Sequence, residues 1–98
     1  MTDIIQIEHE RDAERGAFYF DKQGLRLAEM TYTRAGSDLI IVDHTFVHDA
    51  LRGHGVARKL LDALVAWARE SHTRVMATCP YAKGQFEQDA SIRDVYAG

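Results

Sequence analysis

Apolar and polar residues alternate through most of the first half of the chain, and the period lengthens abruptly after Gly55. Ile4, Ile5 and Ile7 mark a first strand that gives way to a charged cluster, Glu8 to Arg15. Ala17 to Asp21 reads as a second strand, turned back by Lys22-Gln23-Gly24 into a third, Leu25 to Thr33. After Ala35-Gly36-Ser37-Asp38 a fourth strand runs from Leu39 to Val47. Alternation fits half-buried strands, and the Gly-, Ser- and Asp-bearing breaks fit turns. Connections this short predict an antiparallel meander.

From Val56 to about Ser71 the pattern is helical. Ala57, Leu60, Leu61, Leu64, Val65 and Ala68 form one apolar stripe, with Arg58, Lys59, Asp62, Arg69 and Glu70 opposite. Arg74 to Cys79 reads as a fifth strand stopped by Pro80. The strand-helix-strand order predicts that this strand lies parallel to a neighbour in the same sheet. Tyr81 to Gly98 is polar and predicts one or two short helices. The fold class is therefore α/β (α+β), a mostly antiparallel sheet of about five strands with a parallel fourth–fifth pair joined by a long helix.

Composition narrows the function classes. With 98 residues, 46% hydrophobic and 28% charged, the chain reads as a single domain over 1–98 with one core. A net charge of -3 supplies no basic field to recruit nucleic acid or acidic membranes. No apolar run approaches the roughly 18 residues of a membrane span, and no stretch resembles a signal peptide, so the expected location is the cytoplasm. The single cysteine, Cys79, has no internal disulfide partner.

The chemistry concentrates in Arg52-Gly53-His54-Gly55-Val56-Ala57, between the fourth strand and the long helix. A glycine-bearing turn that opens a helix presents unpaired backbone N–H groups and the positive end of the helix dipole, a socket for phosphate. Arg52 and Arg58 add mobile positive charge around it. Two glycines in a strand–helix loop also serve simply to make a tight turn.

Cys79 closes the fifth strand, at the carboxyl edge where open α/β sheets bind ligands. Alternation places it with Val75 and Ala77 on a packing face, and free cysteines are commonly core filler; a thiol near a helix N-terminus or an imidazole becomes a nucleophile. On the fourth strand, alternation puts His44 on one face with Ile40, Val42 and Phe46, poised as a general base near neutral pH or satisfied by a backbone carbonyl. Asp43 faces the other way. His44 and His48 lie on a strand and its following loop and predict no metal site. Trp67, off the main stripe, predicts a core or interface residue.

Arg52-x-x-Gly55-x-Ala57 resembles the acyl-CoA pyrophosphate loop of the GNAT N-acetyltransferase superfamily, whose pattern is Gln or Arg, two residues, Gly, one residue, then Gly or Ala. Members often continue with a fifth strand ending in Asn, then Ala three residues later and Tyr four beyond; here those positions hold Cys79, Ala82 and Phe86. More narrowly, His44-Thr45-Phe46-Val47, the Arg52–Gly55 loop, Cys79 and Asp94-Val95-Tyr96 resemble small single-domain proteins of the YjdJ type. The resemblance implies acetyl-CoA as cosubstrate and no metal, with its pyrophosphate on Gly53, His54, Gly55, Val56 and Ala57, screened by Arg52 and Arg58. It places the pantetheine arm where the fourth and fifth strands splay, against backbone near Phe46 and Val47, and brings Cys79 near His44.

Two departures matter. Relatives carry one or two helices between their first two strands, where this chain has about seven residues, His9 to Arg15. The acceptor site is then open, or completed by another molecule. Phe86 stands where many relatives place the tyrosine that protonates the departing thiolate, leaving Tyr81 and Tyr96 as reserve donors. The reading is an acetyl-CoA-dependent N-acetyltransferase acting on an unidentified amine or protein acceptor, directly or through an acetyl-Cys79 with His44 as base, as a monomer or weak homodimer. The alternative is a non-catalytic CoA-binding or partner-completing module.

Overall fold

The alternating half of the sequence forms a sheet whose turns explain its register. In a computed structural model, which describes residues 5–98, the strands are β1 (Glu8–Arg11), β2 (Arg15–Lys22), β3 (Leu25–Arg34), β4 (Leu39–Val47) and β5 (Arg74–Ala77), in the spatial order β1-β2-β3-β4-β5. Gln23 and Gly24 both take positive φ, 52° and 80°, so two residues close the β2–β3 hairpin with a twist that matches its strands. The first three pairings are antiparallel; β4 and β5 pair in parallel from Leu39↔Arg74 to Val42↔Ala77. The expected fold class is the observed one.

The first strand differs from its expected position. The ladder begins at Glu8, within the charged cluster, while Ile5 and Ile7 pack half-buried against the core without pairing; Ile4 lies outside the described residues. Hydrogen bonds define this edge strand, and charged side chains suit an edge. The β1–β2 connection shrinks to residues 12–14, because the Asp12 carboxylate accepts from the N–H groups of Glu14 and Arg15 at 2.8 and 2.9 Å.

Helix α1 (Val56–Glu70) joins β4 to β5 and buries Val56, Leu60, Leu61, Leu64, Val65 and Ala68. They pack with Phe18, Phe20, Met30, Tyr32, Ile40, Val42 and Val75. The polar tail forms α2 (Pro80–Gln88), with Pro80 in its first turn, and a 3-10 turn, Ala90–Val95. Both helices join one apolar cluster on one sheet face. The other face leaves Thr31, Asp43, His44, Phe46 and Met76 partly or fully exposed. Among the described residues no helix is long and apolar enough to cross a membrane.

Trp67 belongs to an aromatic cluster that ties β1 to the core. The His9 ring stacks on Phe18 with centroids 4.0 Å apart, meets Trp67 edge-on at 4.9 Å, and its Nε2 lies 2.7 Å from the Tyr32 hydroxyl. Burial, and then the Arg11 charge, holds this imidazole below its ordinary value of 6.5. The unfolded chain therefore takes up the proton first as acid is added. The contribution of neutral His9 is complete above about pH 6.5 and is lost as the pH falls through the lower folded-state value. Urea midpoints should fall from neutral to mildly acidic pH, and His9→Gln should remove part of that slope; an unaltered slope would discount the effect.

Candidate functional site

The site grows from the end of β4. His48 Nδ1 accepts from the Ala50 N–H at 3.0 Å and closes a short 3-10 turn, Asp49–Leu51. Gly53 and Gly55 follow with φ of 83° and 70°, left-handed geometry that delivers the chain into α1. Gly55 is the N-cap and offers no side chain, and its carbonyl accepts from Lys59. Among the described residues the amides of Val56, Ala57 and Arg58 thus have no backbone partner and no side-chain cap, and no acidic residue occupies the first turn. Beside them lies a hollow of about 200 Å³, whose apolar wall is Val47, Leu51 and Val56. Uncapped amides, the helix dipole and an adjoining hollow make an anion socket.

The two arginines differ in what they can add to it. Arg52 is exposed and pairs with Asp49 at 2.9 Å, and His54 is also exposed. Arg58 is engaged elsewhere: its guanidinium donates to Asp62 and Gln85 at 2.8 Å and to Asp89 at 2.5 Å, tying α1 to the end of α2. Hydrogen bonds from Ser91 and then Arg58 hold the Asp89 carboxyl down to about 2.

A bulge in β4 changes which side chains meet. Opposite β3 the register passes from Thr31↔His44 directly to Tyr32↔Val42, so Asp43 is an extra residue. Alternation therefore slips by one. Val42 is buried, Asp43 and His44 both stand on the exposed sheet face, and Thr45 returns to the core side opposite buried Met30. The expected common face of Ile40, Val42, His44 and Phe46 is thus broken after Val42. His44 is exposed on the face away from Cys79, and Phe46 shares that face, 40% exposed. Asp43 accepts from the hydroxyls of Thr31 and Thr33 at 2.5 and 2.9 Å. Burial opposes its charge, but these hydroxyls and Arg15 outweigh it and keep the carboxyl below its ordinary value.

Cys79, 4% exposed, meets Thr45 instead, with Sγ 3.1 Å from Oγ1. The N–H groups of Thr78 and Cys79 both donate to the Val42 carbonyl, at 2.9 and 3.1 Å. Strand pairing ends there, and β4 continues to Val47 without β5 beside it. The strands part with Thr45 and Cys79 toward the core and His44 toward the open face. Thr45 was not among the expected site residues. The signal for it is the adjacent polar pair Asp43-His44, which interrupts strict alternation where a bulge adds one residue.

The aromatic groups near α2 divide by position. Phe86 is fully buried and stacks on Tyr96, with centroids 4.5 Å apart and planes 4° from parallel. Tyr96 forms a bridge with Val75 in β5. Tyr81 is half-buried in the first turn of α2, and burial raises its phenol above the ordinary range.

The family described as GCN5-related N-acetyl-transferase matches residues 17–95. Protein NATD1 of Gallus gallus is 33% identical over 78 residues, 79% of this chain and 69% of that protein. The solution structure of a GCN5-like protein of Staphylococcus aureus superposes with a TM-score of 0.72 at 40% identity, over 93% of this chain and 88% of that one. The same fold recurs in a ribosomal-protein-alanine N-acetyltransferase of Brucella melitensis, with a TM-score of 0.64 at 24% identity, over 79% of this chain and 62% of that one. With its sheet, its glycine-capped helix and most of its length matched, the chain belongs to the GCN5-related N-acetyltransferase family.

Proposed function

We propose that the protein binds acetyl-CoA and transfers its acetyl group to an amine. The observation that carries this reading is the continuity of β4. Past Val42 the strand runs on without β5 beside it, and through Val47 it leads into the uncapped N-terminus of α1. Five residues of strand at roughly 3.3 Å each span about 17 Å, comparable to an extended pantetheine arm. A pyrophosphate held by the amides of residues 55–58 would leave the thioester beside the open edge of β4, with backbone near Phe46 and Val47 along the arm. Arg52 is placed to swing onto the phosphates; Arg58 acts by holding α2 in place.

In the direct route, His44 takes one proton from the approaching ammonium, and the freed amine attacks the thioester carbon. The C–S bond breaks, and the second proton passes from nitrogen to the departing sulfur, so CoA leaves as a thiol. Open N–H groups along β4 are available to the oxyanion. Phe86 donates no proton, so in this route the sulfur takes its proton from the attacking nitrogen.

A second route is favoured by the Thr45–Cys79 contact at 3.1 Å. Cys79 would exchange its thiol proton for the acetyl group, release CoA as a thiol, and pass the acetyl on to the amine. Calorimetric titration with CoA tests the cofactor reading, and absence of binding at millimolar ligand would overturn it. Incubation with acetyl-CoA followed by intact mass measurement separates the routes. The thioester route gives a one-acetyl adduct that Cys79→Ala abolishes together with turnover; the direct route leaves Cys79→Ala with full turnover.

A further inference from the structure

The exposed sheet face holds a hollow that acetyl-CoA would not fill. Across four strands the register aligns Glu10 with Ala17, Ala17 with Thr31, and Thr31 with His44. Residues directly opposite one another share a face, so these side chains form one row that leads toward the parting of β4 and β5. Ala17 and Thr31, in the middle of the row, are short, while Glu29 on one side and Arg15 on the other are long. The result is a hollow of about 400 Å³ floored by Ala17 and Thr31, within the range of small-molecule sites.

Its lining carries three carboxylates, Glu10, Asp12 and Glu29, against the two guanidinium groups of Arg11 and Arg15. Arg26 lies over the Tyr19 ring at 3.9 Å and serves three carboxylates at once: Glu10 and Asp21 at 3.1 Å and Glu29 at 3.4 Å. One guanidinium is thus shared among three carboxylates. Glu8 stands across from Tyr19 on the same face. At the other side Arg15 is 3.8 Å from Asp43. After burial, the charges of Glu8, Glu10 and Asp21 are what raise the Tyr19 hydroxyl above its ordinary range, a sign of the same negative field.

We propose that this hollow is the acceptor site and takes an alkylammonium group, supplied by a lysine side chain or a free polyamine. The alkyl chain lies over Ala17 and Thr31, the carboxylates of Glu10 and Glu29, which share Arg26, attract the charge, and the row delivers the nitrogen to His44. The acceptor role rests on the acetyl-transfer reading, whereas the binding of the cation does not. The test accordingly uses no CoA. The 15N-labelled protein is titrated with cadaverine, with Nα-acetyl-lysine amide and with neutral pentanediol, and amide shifts are followed. Saturable shifts centred on Glu10, Ala17, Glu29 and Thr31 are expected from the amines and not from the diol, and the tighter of the two amines identifies the source. Ala17→Leu, which fills the floor, and Glu29→Gln, which removes a charge without adding bulk, should each weaken amine binding at least tenfold and leave CoA titrations unchanged. Shifts mapping elsewhere, equal shifts from the diol, or unaltered affinity in both variants would overturn the proposal. Amine binding here without any CoA binding would sustain the cation site and remove the acetyl-transfer reading instead.

Discussion

Gly16→Ala is expected to cost about 3 kcal/mol, because it combines overpacking with a stranded buried hydroxyl, each worth roughly 1–3 kcal/mol. A Cβ on Gly16 would lie 2.3 Å from both Cζ and Oη of Tyr32 and 2.7 Å from Cε2. The ring has nowhere to go. It is 1% exposed, packs beside Trp67 with centroids 5.6 Å apart, and is tied through its hydroxyl to His9. Moving it breaks the contact that fixes β1, so the loss reaches the wall of the proposed acceptor hollow as well. For a chain of this size about 3 kcal/mol lowers the melting temperature by roughly 12–24 °C. Thermal unfolding of Gly16→Ala, Tyr32→Leu and the pair measures it. The pair should lose less than the sum, because leucine vacates the space that the new methyl needs; strict additivity would show that the ring is not the obstacle.

How much of this was legible in the sequence depends on what defines each element. The bounds of β4, Leu39–Val47, and the start of α1 at Val56 follow from a change of period, because both elements bury an apolar face. The first strand departs from the apolar pattern for the opposite reason. Glu8–Arg11 is an edge strand held by backbone pairing on one side, and its side chains carry no apolar pattern to read. The glycine turn that opens α1 is visible because Gly53 and Gly55 meet a local backbone need. The partners of Cys79 and Arg58 are not, because they depend on distant residues. Asp89 reaches Arg58 from 31 residues away, and one inserted residue at Asp43 exchanges His44 for Thr45 beside Cys79. Alternation is reliable only until the first bulge, and here the bulge lies at the site.

Gly55→Asp should separate the fold from the socket. Gly55 has φ of 70°, and a Cβ placed there has nothing within 4 Å. Asp and Asn tolerate left-handed geometry better than other side chains, so both variants should fold. An acidic group at a helix N-terminus also interacts favourably with the dipole, so Gly55→Asp should melt no lower than Gly55→Asn. Binding should move the other way. The carboxylate would stand beside the amides of Val56, Ala57 and Arg58, where the pyrophosphate is proposed to sit, and would repel it. At an effective dielectric constant of about 20–40 and a separation of roughly 4–6 Å, that repulsion amounts to about 1.4–4 kcal/mol, a 10- to 1000-fold loss of CoA affinity. Asn brings the same backbone geometry without the charge and should lose only a few-fold. The difference between the two variants, read by calorimetric titration at low salt and shrinking as salt is added, is thus a measure of negative ligand charge at the end of α1. Equal affinities would place the phosphates elsewhere and leave Gly53 and Gly55 as nothing more than a tight turn between a strand and a helix.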